Sequence, residues 1–216
     1  MKAVKTYLSV YPFWYRFVVF IIEPAVIIAG GVINAASSTG DYKSGFIVGM
    51  SAAILIYAEL FGEWFTLGEI CVKRGAFGEA VLSSPRGRLF VKRFAVVDVL
   101  RKLIGYPLIF VIQQLLVYLI IPEDVNFADA LVAGIICAAS AMSGILVLRH
   151  TKAIAMRVVS YLAMGTTAAI LAVPYFSTGV YGVKVFMTVV SALICALFSF
   201  LTVSTVIKSS KGDYYD

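Results

Sequence analysis

Long apolar runs separated by short polar breaks dominate the chain. A bilayer-crossing helix needs about 20 mostly apolar residues. Six such runs stand out: 17–36, 46–67, 103–121, 130–148, 156–173 and 185–207. The third and fourth carry no charge, and the last is the longest clean run. Barrel strands alternate apolar and polar positions over about ten residues, whereas these runs are longer and uniformly apolar. Lipid offers backbone groups no hydrogen-bond partner, so all six are predicted to be helices.

The polar breaks sort by charge. The N-terminal segment (Lys2, Lys5, Arg16), the 68–102 segment, the Arg149–Arg157 turn and the tail (Lys208, Lys211) hold 16 of the 18 Lys and Arg residues. The other side has Lys43 and Lys184 with Asp41, Glu123, Asp124 and Asp129. The positive-inside rule then puts both termini and the 68–102 segment in the cytoplasm. The net charge of +6 is this topology signal and calls for no nucleic-acid partner.

Composition agrees. Of 216 residues, 61% are hydrophobic and 14% charged, against ~25% charged in soluble domains. The predicted class is an all-α integral membrane protein with one transmembrane domain and six spans. A cleaved signal peptide fits poorly at the first run, which is longer than an h-region and is interrupted by Glu23-Pro24. Cys71, Cys137 and Cys195 are scattered and odd in number, so they read as packing residues.

"MKAVKTYLSVYPFWYR" mixes aromatic and basic residues that favour the headgroup level. Two readings fit residues 1–16: a segment lying along the inner leaflet, or an aromatic belt after a disordered start. The outer loops "SSTGDYKSG", "PEDVNFAD" and "PYFSTGVYG" are short turns. The substantial feature outside the bilayer is therefore the segment between the second and third spans.

That segment reads "RGAFGEAVLSSPRGRLFVKR" from Arg74 to Arg93. "AFGEAVLSS" suits a short amphipathic helix with Phe77, Val81 and Leu82 near one side and Glu79 outward. Ser84-Pro85 is a helix start, because Ser caps and Pro suits the first helical position. A second helix can run from Pro85 into the third span. The prediction is a helical elbow over 74–102, with a short arm in the cytoplasm and a long basic arm entering the bilayer. The plainer reading is a loop whose Arg and Lys residues meet anionic lipid.

This arrangement resembles the membrane subunit of an ABC transporter of the ABC-2 type. The likeness rests on the topology and on Glu79, Leu82, Ser83, Ser84, Pro85 and Arg86, which are similar to the family's Glu, Leu-Ser-x-Pro, basic pattern before the third span. The resemblance implies six spans, cytoplasmic termini, an interfacial helix and a bacterial plasma membrane. It implies a coupling helix docking on a separate ATP-binding subunit, with Phe77, Glu79, Val81, Leu82, Ser84, Pro85 and Arg86 at the contact. It also implies a second permease copy or a related one, and export of peptide, lipid or drug-like cargo. Many members have longer structure between spans five and six than the brief loop here. The chain has no Gly-x-x-x-x-Gly-Lys-Ser/Thr loop, so ATP-Mg is expected on the partner and no cofactor on this chain. "GFIVG" is a small-xxx-small pattern that could allow close helix approach in a dimer.

Glu23, Glu59 and Glu63 fall inside predicted spans, where ionisable groups are costly. Glu59 and Glu63 are four apart and share a helical face. They could line a translocation path or gate together with Glu23 and Gln113. Alternatively they are structural, bonded at the inner leaflet to Arg16, Arg74 or Arg157. Gln113 and Gln114 also suit helix-to-helix hydrogen bonds. Pro24 and Pro107 are candidate kink sites.

Enzyme readings find little support. His150 is the single histidine, "AMSGIL" around Ser143 is a poor nucleophile elbow, and Asp98 stands alone as a membrane-proximal Asp. A non-transporting scaffold, immunity factor or assembly partner is the alternative to a transport subunit.

Overall fold

The computed structural model describes residues 8, 13–37, 57–59, 62–63, 81, 83–120, 125–149 and 155–211. These residues are almost entirely helical, and no strand occurs among them. Helix α1 (Phe13–Phe17) runs through a π-helical turn (Val18–Ile22) into α2 (Glu23–Ser37). Then follow α3 (Pro85–Tyr118), α4 (Phe127–Arg149), α5 (Ala155–Ser177) and α6 (Tyr181–Lys211). Tyr57–Glu59, Gly62 and Glu63 are also helical.

Among the described residues, three helices are long and apolar enough to cross a membrane: Phe127–Leu148, Val158–Ser177 and Tyr181–Ile207. They overlay the expected fourth, fifth and sixth runs. Val18–Ile33, within the expected first run, is a shorter apolar helix. The expected third run forms the distal half of α3, which ends at Tyr118 and is preceded directly by Arg101 and Lys102. Most of the expected second run lies outside the described residues, as do Phe77, Glu79, Leu82 and His150.

The π turn sits immediately before Pro24. Proline has no N–H to return to the carbonyl one turn back. The backbone widens there instead, with the Glu23 N–H bonding the Val18 carbonyl five residues earlier. The expected disturbance at Pro24 thus takes the form of a π turn.

Helix α4 is the centre of the bundle and packs on α3, α5 and α6. Its run of small residues, including Ala138, Ala139 and Ala141, is fully buried. Two glycines allow backbone-close approach of its neighbours. A Cβ on Gly134 would overlap the Pro107 backbone of α3, and one on Gly144 would overlap Met164 of α5. Ser143 lies 3.1 Å from Thr167 Oγ1 and 3.2 Å from the Ala163 carbonyl, so its hydroxyl joins α4 to α5. Cys137 and Cys195 are buried, as packing residues would be.

Two clusters close the ends. Near the start of α3, Val91, Phe94 and Ala95 pack with Val206 of α6, and Leu8 and Val81 lie against them. At the other end, Asp129 of α4 accepts a 2.7 Å hydrogen bond from Tyr175 Oη of α5. The Lys184 ammonium of α6 sits 3.2 Å from the same carboxylate and 5.1 Å from the Tyr175 ring centre. One acid thereby gathers three helix ends.

Candidate functional site

Helix α3 begins at the Ser84-Pro85 start singled out in the sequence and carries the cations that meet Glu59. Its 34 residues extend about 50 Å at 1.5 Å per residue, well beyond a hydrocarbon core of about 30 Å. Ser84 starts it as an N-cap in extended conformation, with φ −93° and ψ 142°. The Ser84 hydroxyl accepts from the Gly87 N–H at 2.9 Å, and Pro85 occupies the first turn. The helix start at Ser84-Pro85 is therefore as the residue types dictate. Gly87 is there for space: a Cβ would collide with the Val81 carbonyl. Val81 is half-buried against the Phe94 cluster, while Ser83, Ser84, Pro85 and Arg86 are exposed.

Four turns further along, Asp98, Arg101 and Lys102 share one face of α3 at i, i+3 and i+4. Lys102 donates to Asp98, and Arg101 donates to Glu59, which comes from the segment of the expected second span. Lys102 Nζ is also 3.3 Å from Glu59 Oε2, and Arg101 is 3.5 Å from Asp98 Oδ1. The result is a cross-braced quartet of two acids and two bases. Lys102 and Asp98 are each 1% exposed and Glu59 is 6% exposed. Charges so far from water persist only when paired and hydrogen-bonded.

Glu23 and Tyr106 are buried beside the quartet, within electrostatic reach of Glu59 and Arg101. Glu23 Oε1 and the Tyr106 hydroxyl have no hydrogen-bond partner among the described residues. Glu63 is buried as well. Glu23, Glu59 and Glu63 are thus all buried, and Glu59 pairs with Arg101 and Lys102 of α3. Asp98 is held by Lys102 and Arg101. Gln113 stands apart from this group. Its Nε2 donates to the Ile27 carbonyl of α2 at 2.8 Å, and its side chain fills the space over Gly31. It ties two helices, as an amide in a span does.

The quartet was missed in the sequence because Arg101 and Lys102 look like ordinary basic residues at a membrane face. The signal that could have found it is the Asp-x-x-Arg-Lys spacing directly before an apolar run. Chemically the arrangement offers balanced charge and donor–acceptor bracing, not a nucleophile beside a base. No group of metal-ligating residues occurs among the described residues.

No family model, curated protein or solved structure matches the chain.

Proposed function

We propose that this chain is the membrane subunit of a transporter powered by a separate ATP-binding protein, of the ABC-2 type. The observation that carries this reading is the geometry of α3. One uninterrupted helix begins at an exposed, capped elbow and reaches the buried charge quartet. A force applied near Ser83–Arg86 would be delivered along the part of α3 that precedes Pro107 to Glu59, at Arg101 and Lys102. A rigid helix transmits a displacement without dissipating it in a hinge.

In this reading the chain has six spans with both termini in the cytoplasm of a bacterial plasma membrane. Phe77, Glu79, Val81, Leu82, Ser84, Pro85 and Arg86 form the contact with the ATPase, where ATP-Mg binds. A second permease copy completes the pathway for peptide, lipid or drug-like cargo. Val81 serves differently from the exposed Ser84, Pro85 and Arg86, as an anchor against Phe94 of α3 and Val206 of α6.

Site-specific photo-crosslinking tests the contact. A photoreactive residue placed at Ser83 or Arg86 is expected to capture an ATP-binding protein in cells. One at Ile170, on the exposed face of α5, is not. Failure of both elbow positions to capture an ATPase would reject the reading in favour of a non-transporting scaffold.

A further inference from the structure

Among the described residues, one buried acid is left over beside the charge quartet. Glu59 and Asp98 balance Arg101 and Lys102, and all four are engaged. Glu23 adds a further carboxyl within electrostatic reach of Glu59, Arg101 and Lys102. It is 7% exposed, and its Oε1 bonds nothing among the described residues. Tyr106 is 1% exposed, and its hydroxyl is equally without a hydrogen-bond partner there. Glu63 is buried too, but it is engaged.

The fold brings these two side chains to one depth. Arg101 lies 5.8 Å from the Phe20 ring centre, and Gln113 donates to the Ile27 carbonyl. The two contacts set the first helical run beside α3, with both chains rising in the same direction. Glu23 falls between Phe20 and Ile27, and Tyr106 falls between Arg101 and Gln113. Tyr106 is in turn within electrostatic reach of Glu23. The π turn ends at Glu23, so the backbone that carries the acid is locally widened. Such turns recur at functional sites.

We infer that Glu23 is a proton-binding site at the α2–α3 interface, occupied while α2 is seated on α3 and emptied when α2 lifts away. A lone carboxylate sealed in this setting would bear its full desolvation cost, which a proton removes. The charged and titratable groups around it are Glu59, from the segment of the expected second span, and Arg101, Lys102 and Tyr106 of α3. The two cations are committed to Glu59 and Asp98. A metal ion is poorly served, because hard cations take about six or more oxygens and no group of metal-ligating residues occurs among the described residues. Raising the pH favours the state in which the acid meets water, so α2 seats less firmly as protons are withdrawn. The site needs only the membrane setting of the bundle and stands apart from the ATPase reading.

Infrared difference spectroscopy of the full chain in detergent tests the site, with Glu23→Gln as the neutral isostere. At neutral pH the native chain is expected to show the carbonyl stretch of a protonated carboxylic acid. That band should disappear in Glu23→Gln and fade from the native chain as the pH is raised. Glu23→Asp, which keeps a carboxyl on a shorter stem, should retain the band at a shifted frequency. Hydrogen exchange across 23–37 reads the link to packing. Relative to Glu23→Gln at the same pH, exchange in the native chain should quicken as the pH rises, by up to about tenfold per pH unit. The ratio cancels the intrinsic pH dependence of exchange. A missing acid band at neutral pH, or one that survives Glu23→Gln unchanged, would overturn the proton site. A constant exchange ratio across pH would overturn its link to the seating of α2. If the glutamine variant does not fold, the aspartate variant decides, and an unshifted band there overturns the site.

Discussion

Lys102→Met is the sharpest perturbation of the charge quartet. Methionine keeps the unbranched stem and deletes the ammonium. In the native protein two carboxylates, Glu59 and Asp98, face two cations, Arg101 and Lys102, so the four charges cancel. After the substitution one cation serves two buried acids, and Asp98 loses the ammonium while keeping the 3.5 Å approach of Arg101. Removing one member of a buried pair costs about 3–5 kcal/mol, because it strands the other charge. Lys102 is 1% exposed, so solvent screening gives no relief. At ~2–4 °C per kcal/mol for a chain of this length, the midpoint should fall by roughly 10 °C. The buried Cys137 and Cys195 supply the assay, since a thiol-reactive fluorophore reaches them only as the bundle opens. The double variant Asp98→Leu/Lys102→Met removes one charge of each sign and leaves the Glu59–Arg101 pair. It should lie above Lys102→Met in stability, with a coupling of about 1–3 kcal/mol. A midpoint for Lys102→Met within a degree or two of wild type, or strict additivity in the double variant, would refute the quartet as drawn.

Other outcomes follow from the same contacts. Gly134→Ala drives a methyl into the Pro107 backbone and should cost about 1–3 kcal/mol in the same unfolding assay, whereas Gly165→Ala meets open space and should be neutral or stabilising. Ser84→Ala deletes the cap of α3 and should cost about 1 kcal/mol, with hydrogen exchange rising at 83–88 and not in α4. Gly87→Ala should disturb the elbow more than Ser84→Ala, because the Val81 carbonyl must move, and limited proteolysis near Val81 should accelerate. Lys184→Met removes a half-exposed ion pair, so its stability cost should stay under about 1 kcal/mol while exchange quickens at the turn between α5 and α6.

Local chemistry made some features legible in the sequence. Ser84 and Pro85 announce a helix start because a cap and a proline need only their own neighbours. The last three runs declare themselves by length and apolarity alone. Pro24 disturbs its helix for a reason intrinsic to proline, though the resulting π turn could not be anticipated. Partnerships between distant segments were not legible. Glu59 and Arg101 are 42 residues apart, and nothing in either neighbourhood names the other. Charge near an apolar run suggested solvent or lipid headgroups for Lys102, whereas tertiary packing takes it inside. Gly134 gave no hint that it rests on Pro107. Asp129, Tyr175 and Lys184 were assigned to one side of the membrane, but their convergence on a single carboxylate depends on how three helices pack. The elbow contact residues Phe77, Glu79 and Leu82 lie outside the described residues, so their role rests on sequence pattern.

The most direct test of the proposed role is affinity purification of the intact chain in mild detergent beside a variant with Phe77→Ala, Glu79→Lys and Leu82→Ala. Bound proteins are identified by mass spectrometry. An ATP-binding protein that accompanies the intact chain and is lost from the variant is the predicted result. Absence of any ATPase from both, with the chain folded and recovered, would contradict it and leave the elbow as a lipid-facing feature of a membrane protein with another role.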